Sequence, residues 1–191
     1  MFNPRAGALV PAPRVVVLAR PSTMNAMAGS ATPATTQLGR TATPFTVHTY
    51  EHDPRSTAFG DEAVAALESA GAAPDQVFKT LVVALTGAPT RFGVAIVPVL
   101  RSLSLKAAAR ALGAGKAAMA PRADAERVTG YVFGGVSPFG QRTRLPTVLD
   151  ASALSFGRIF VSGGRRGLEL EIAPTDLVTV LDATTAPLTA T

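Results

Sequence analysis

The sequence predicts one α/β domain of the α+β type, with a mixed, curved β-sheet and helices packed outside it. Three observations carry this. A chain of 191 residues suits one buried core and is short for two. A composition of 47% hydrophobic and 16% charged residues is that of a folded protein. Apolar segments of strand length outnumber those of helix length, and several follow one another directly, which argues against a doubly wound parallel sheet.

Residues 1–40 are rich in Pro, Ala, Thr and Ser and, residues 15–19 apart, lack helical or strand periodicity, so a disordered extension is expected there. Met24 and Met27 allow a start downstream of Met1; an acid-free, Arg-bearing stretch also fits a transit peptide, and a tail or mis-set start is the preferred reading. Order should begin near Pro44. Residues 45–50 alternate and are β-prone. Asp61 offers an N-cap for a helix through Val64, Leu67 and Ala70, stopped by Gly71. Residues 74–78 read as a helical turn leading into a strand over 79–85. That strand pairs antiparallel with 91–99 around Gly87 and Pro89.

Ser104 caps a helix ending at Gly113, on which Lys106 and Arg110 share a face. A further helix covers 122–129. Short strands follow at 131–133, 145–149, 158–161 and 168–172, and Pro174 opens a last helix to Leu181. The folded domain is placed at 41–185, with a flexible tail over 186–191.

Several function classes fall away. The longest apolar runs are far below the roughly 20 residues that span a bilayer, so no membrane partner is expected. The chain has no cysteine, which removes a disulfide frame, a thiolate metal site and a protein thiol nucleophile, and fits a reducing cytosol. A net charge of +5 invites a nucleic-acid partner, but four arginines (Arg5, Arg14, Arg20, Arg40) and no acid precede Glu51. The rest carries 14 basic and 13 acidic residues, so any RNA contact must come from a local patch; no DNA partner is expected.

His48 and His52 are the only histidines. Two ligands on an extended segment are too few for catalytic zinc, which wants three, so they read as structural or surface residues with no metal or other cofactor. No Gly-x-Ser-x-Gly elbow supports a serine triad. Lys79 sits at the mouth of an apolar strand. It either snorkels to water or is partly desolvated, with a lowered pKa or an acidic or carbonyl partner. The loop from Gly134 to Gly140 is neither a P-loop nor a dinucleotide fingerprint; it is a tight turn or a backbone that approaches a ligand. Arg165 and Arg166 lie in a glycine-rich link that either tips a hairpin or holds phosphate. Glu169 and Glu171 share a strand face, where one could partner a lysine.

In order along the chain stand His48-Thr-Tyr-Glu-His-Asp-Pro54, Phe59-Gly-Asp-Glu62, Asp75-Gln-Val-Phe-Lys-Thr80, Thr129-Gly-Tyr131, Gly134-Gly-Val-Ser-Pro138, Arg144-Leu-Pro-Thr147, Val161-Ser-Gly-Gly164 and Arg166-Gly-Leu168. This ordered set, over about residues 44–183, resembles the YbaK/EbsC family, bacterial trans-editing proteins that deacylate Cys-tRNA(Pro). The resemblance implies a wrapped, barrel-like sheet and a pocket for the 3′-terminal aminoacyl-adenosine. It implies Lys79 and Gly134 as catalytic residues, with Tyr50, Phe59, Thr80, Gly135, Ser137, Ser162 and Glu169 binding substrate. The family position of Glu169 is typically Asp, so a longer carboxylate changes its reach. Implied partners are mischarged tRNA and prolyl-tRNA synthetase, in the cytoplasm, with no cofactor. The implied chemistry is substrate-assisted, the cysteinyl thiol attacking its own ester. Arg101, Lys106, Arg110, Arg165 and Arg166 are the candidate RNA-facing charges. Two alternatives are editing of Ala-tRNA(Pro) or another mischarged tRNA, and a non-catalytic tRNA- or synthetase-binding module.

Overall fold

The computed structural model describes residues 16–18 and 30–189. Among these, the strands are β1 (Val16–Leu18), β2 (Phe45–Thr49), β3 (Val77–Thr86), β4 (Phe92–Pro98), β5 (Lys116–Met119), β6 (Thr147–Asp150), β7 (Ile159–Arg165), β8 (Leu168–Ile172) and β9 (Thr184–Ala186). The helices are α1 (Pro33–Arg40), α2 (Phe59–Glu68), α3 (Leu105–Ala111), α4 (Arg122–Thr129) and α5 (Pro174–Leu181). The strands form one sheet in the order β1-β2-β8-β7-β3-β4-β6-β9, with β5 pairing on β3, curled into a half-barrel. The pairings β3–β7, β4–β6 and β6–β9 are parallel and the others antiparallel, as a mixed sheet requires.

β4 is buried at all seven positions, which accounts for its unbroken apolar run at the centre of the sheet. β3 alternates, and its two faces feed different cores. Phe78 joins Ile96, Leu149, Val161, Leu170 and Phe139 in the main core, covered by α1 and α5. Val77 faces the other way, packing with Phe160 under Ala63, Val64 and Leu67 of α2. Lys79, two residues on, shares the α2 face.

Several expectations need correction. The reading of residues 1–40 as disordered fails for 33–40. Helix α1 is held by a capping box between Thr32 and Thr35, and its Ala34 and Leu38 are fully buried in the main core. Its polar surface hid two apolar anchors whose value lies in tertiary packing. Residues 16–18, the exception already noted, pair antiparallel with β2. The rest of the 1–40 reading, at residues 1–15 and 19–29, lies outside the described residues. The tail expected from 186 is ordered to 189: Leu188 is fully buried and its N–H donates to Asp150 Oδ2 at 2.7 Å, while Thr189 bridges to Leu103. Helix α2 starts at Phe59, with Ala58 at its N-cap; Asp61 and Glu62 instead supply negative charge in the first turn.

Residues 131–133 are not a strand. The Phe133 N–H donates to Glu126 Oε1 and its carbonyl accepts from Arg166, so no ladder partner is left to it. β5 and β9 were not foreseen.

If α1 is part of the folding unit, Leu38→Ala should lower the unfolding free energy by about 2–5 kcal/mol, the range for a buried leucine truncation. Urea denaturation of the two proteins measures this, and a change near zero would mean α1 only decorates the domain.

Candidate functional site

The α2 face of the sheet carries a row of polar side chains across four strands. In register, His48 on β2 opposes Glu169 on β8, and Glu169 opposes Ser162 on β7. The last paired positions of β7 and β3 are Val161 and Phe78, so the next residues, Ser162 and Lys79, stand on the same face of adjacent strands. Lys79, Ser162, Glu169 and His48 therefore form one line beneath α2, with Tyr50 just past the end of β2.

Lys79 Nζ donates to the Val99 carbonyl at 2.9 Å. Burial holds its ammonium below the ordinary lysine value, and the charge of Asp61 opposes this. The desolvated reading thus describes Lys79, with the Val99 carbonyl as its partner and Asp61 acting only through its field. The glutamates serve differently: Glu171 Oε2 lies 2.8 Å from His48 Nε2, and His48 packs edge-on against Phe160 at 5.3 Å.

Glu169 is 7% exposed, and burial raises its carboxyl to about 8. Burial also raises the Tyr50 phenol, helped by the charges of Glu169 and Glu62 and opposed by a hydrogen bond from the Gly167 backbone. Tyr50 is thus a neutral phenol at physiological pH.

The raised carboxyl sets a pH dependence. Between the ordinary glutamate value of about 4.3 and the folded value, the unfolded chain is ionised while the folded one keeps the proton, so this group makes stability fall as pH rises through that window. Glu169→Gln should flatten the fall, leaving the variant more stable than the parent at pH 9 in thermal melts across pH 5–9. Parallel pH profiles would show that Glu169 does not titrate in this way.

The rim is built from α2 and two loops. Phe59 opens α2 and lies 5.7 Å from the His52 ring and 6.3 Å from the Phe133 ring, centroid to centroid. His52 is held by Glu62, Nδ1 to Oε2 at 2.6 Å, and Glu62 Oε1 also accepts the Asp53 N–H. Arg166 lies over the Phe59 ring at 4.3 Å and donates through Nη2 to the Phe133 carbonyl at 2.8 Å. Gly134 takes φ +85°, and a Cβ there would stand 2.5 Å from the Phe59 ring. Phe59 therefore ties the glycine loop to α2. At the neighbouring Gly60 a Cβ would stand 2.7 Å from a methyl of Val99, whose carbonyl holds Lys79.

The structure brings together Lys79, Tyr50, Phe59, Gly134, Gly135, Ser162, Glu169 and Arg166. It does not bring Thr80 or Ser137 to them. Thr80 follows Lys79 in a strand and so points to the opposite face, its buried hydroxyl without a hydrogen-bond partner. Ser137 is fully buried, and its hydroxyl accepts the Phe139 N–H within its own loop. Arg166 braces the rim, which departs from a solvated RNA-facing charge. Arg101, Lys106, Arg110 and Arg165 are exposed. Lys106 and Arg110, with Lys116, line an open groove of about 810 Å³ between α3 and β5 that has no acidic wall residue. Sequence reasoning did not place Asp61, Glu62, Val99 or Phe133 at the site; the motif from Phe59 to Glu62 was the available signal for the acids. Among the described residues no three His, Cys, Asp or Glu side chains converge to hold a metal, and no helix is long and apolar enough to cross a membrane.

Residues 59–180 match the family described as the aminoacyl-tRNA editing domain, and the chain is such a domain. Over 122 residues it is 38% identical to EbsC of Enterococcus faecalis (strain ATCC 700802 / V583), named as a candidate Cys-tRNA(Pro)/Cys-tRNA(Cys) deacylase; the match covers 64% of this chain and 73% of that protein. Two solved structures share the fold at 24% identity and a TM-score of 0.69. One is described as a candidate trans-editing enzyme for prolyl tRNA synthetase (87% of this chain, 100% of the other), the other comes from work on epitope backbone grafting onto scaffold proteins (86% and 99%). The chain belongs to the YbaK/EbsC family of aminoacyl-tRNA editing proteins.

Proposed function

We propose that the protein deacylates Cys-tRNA(Pro) in trans, with the cysteinyl thiol of the substrate as nucleophile. The observation that carries this is chemical. The site offers a positioned ammonium, a phenol, a hydroxyl and a backbone turn, while the chain contains no cysteine and both histidines are engaged by glutamates. Such a site orients and stabilises charge without supplying an attacking group of its own. The nearness to EbsC supports cysteine as the amino acid.

In this reading the substrate sulfur attacks its own ester carbonyl. The carbon–oxygen bond to the terminal ribose breaks, the thiol proton passes to the ribose oxygen, and the cyclic thioester released is hydrolysed by water to cysteine. Lys79 anchors the ester and stabilises its developing negative charge, and the backbone at Gly134 flanks the ester oxygen. Tyr50, Phe59 and Ser162 wall the pocket, and Glu169 donates a hydrogen bond from its protonated form. Prolyl-tRNA synthetase in the cytoplasm presents the tRNA. The near balance of charge beyond residue 50 supports a need for such a partner, with Arg101, Lys106, Arg110 and Arg165 meeting the RNA backbone.

The test replaces the thiol. Cys-tRNA(Pro) and the same tRNA carrying S-methylcysteine are compared in single turnover. The blocked substrate should react at least about 100-fold more slowly, since an intramolecular attack is lost. Equal rates would show that water attacks directly.

A further inference from the structure

Phe133 is an exposed aromatic residue that the fold has fixed in place. Its side chain sits in a loop, where Phe133 is 49% exposed and its neighbour Val132 56%. The backbone is pinned from both sides. Its N–H donates to Glu126 Oε1 at 2.8 Å, and its carbonyl accepts from Arg166 Nη2 at 2.8 Å and Nε at 3.2 Å. Glu126 is itself steadied by Arg122 Nε at 3.0 Å.

The ring is also flanked by charge. The Arg122 guanidinium lies over it at 5.4 Å, and the edge-to-face partner Phe59 carries Arg166 at 4.3 Å. The result is a pair of rings, Phe133 and Phe59, flanked by Arg122 on one side and Arg166 on the other, with Phe59 packed against Gly134. Aromatic rings and guanidinium planes side by side are the surface on which unpaired nucleobases stack, the cations answering the adjoining phosphates.

We propose that Phe133 is a stacking platform for the nucleobase next to the terminal adenosine of a single-stranded RNA 3′ end. This rests on reading the pocket at Lys79 and Gly134 as the seat of the terminal aminoacyl-adenosine. Phe133 precedes Gly134 directly and its ring is half exposed, so a strand whose terminal adenosine sits at Gly134 has the ring beside its exit. Stacking does not depend on base identity, so the platform fixes the path of the strand and leaves choice of tRNA to other contacts.

The experiment uses the full chain and a hairpin RNA with a single-stranded CCA end, in which 2-aminopurine replaces the base next to the terminal adenosine. Stacking quenches this fluorophore. Wild-type protein should quench it, and Phe133→Ala should abolish the quenching and weaken binding by about 5- to 150-fold, the range for loss of one base–aromatic stack. Phe133→Trp should restore both, and Phe133→Leu, apolar but not planar, should not. With half its surface exposed, the ring can be exchanged without opening the core, and thermal melts confirm the fold of each variant. Wild-type protein that deacylates Cys-tRNA(Pro) yet gives no quenching overturns this inference alone. Protein that does neither removes the reading beneath it as well. Equal quenching and affinity in Phe133→Ala, or full retention in Phe133→Leu, also overturns it.

Discussion

Lys79→Ala should lower kcat/KM for Cys-tRNA(Pro) deacylation by about 10²–10³-fold, the loss seen when one preorganised group facing a developing oxyanion is removed. The effect should fall mainly on kcat, because stabilised charge belongs to the transition state more than to the bound ester. Lys79 suits the role because its ammonium is fixed, held by the Val99 carbonyl at 2.9 Å, and partly stripped of water. Truncation also leaves that carbonyl without its donor, so a stability loss of about 1–3 kcal/mol should accompany it. Lys79→Arg separates the two effects: it keeps the charge and a donor to Val99, so stability should recover more fully than activity, whose geometry a planar guanidinium changes. Steady-state kinetics beside urea denaturation decides this, and unchanged kcat in a folded Lys79→Ala protein would remove Lys79 from the chemistry.

Gly135→Val should cost about 100-fold in activity, because misplacement of site groups by an ångström carries losses of that order. A Cβ at Gly135 would lie 2.9 Å from Arg165 Cα and 3.1 Å from Arg166 N, both backbone atoms that cannot swing aside. The glycine loop and the link between β7 and β8 would be forced apart. The first presents Gly134, and the second carries Arg166 onto Phe59. Gly135 donates its N–H to the Val132 carbonyl, so the turn can persist while the loop shifts as a unit. The expected signature is a fall in activity larger than the fall in melting temperature explains. An active Gly135→Val protein would show that the two loops need not touch.

Much of the fold was legible because its elements carry local signals. Helix α4 and the β3–β4 hairpin follow periodicity and turn chemistry, and α5 and β8 sit where Pro174 and the apolar alternation of 168–172 put them. Helix α1 was not legible, since Ala34 and Leu38 become informative only against Phe139 and the strands of the main core. The 131–133 segment looked like a strand because Tyr, Val and Phe favour one. Bonds from Glu126 and Arg166 claim its backbone instead, and no spacing rule foretells them.

The site divides the same way. Lys79 was legible as a charge at the mouth of an apolar strand, and the row through Ser162 and Glu169 follows from period-two alternation once the register is known. Alternation also turns Thr80, which the family resemblance had implied as a substrate contact, to the face opposite Lys79. The packing of the rim was not legible, because Phe59 at the start of α2, Phe133 and Arg166 lie far apart in sequence.

The most direct measurement is a single-turnover time course on Cys-, Ala- and Pro-tRNA(Pro), run with and without prolyl-tRNA synthetase. Cys-tRNA(Pro) should be deacylated well above the spontaneous rate and faster still with the synthetase, while Pro-tRNA(Pro) persists. Decay of all three at the spontaneous rate, or loss of Pro-tRNA(Pro) as fast as Cys-tRNA(Pro), would contradict an editing site built on Lys79.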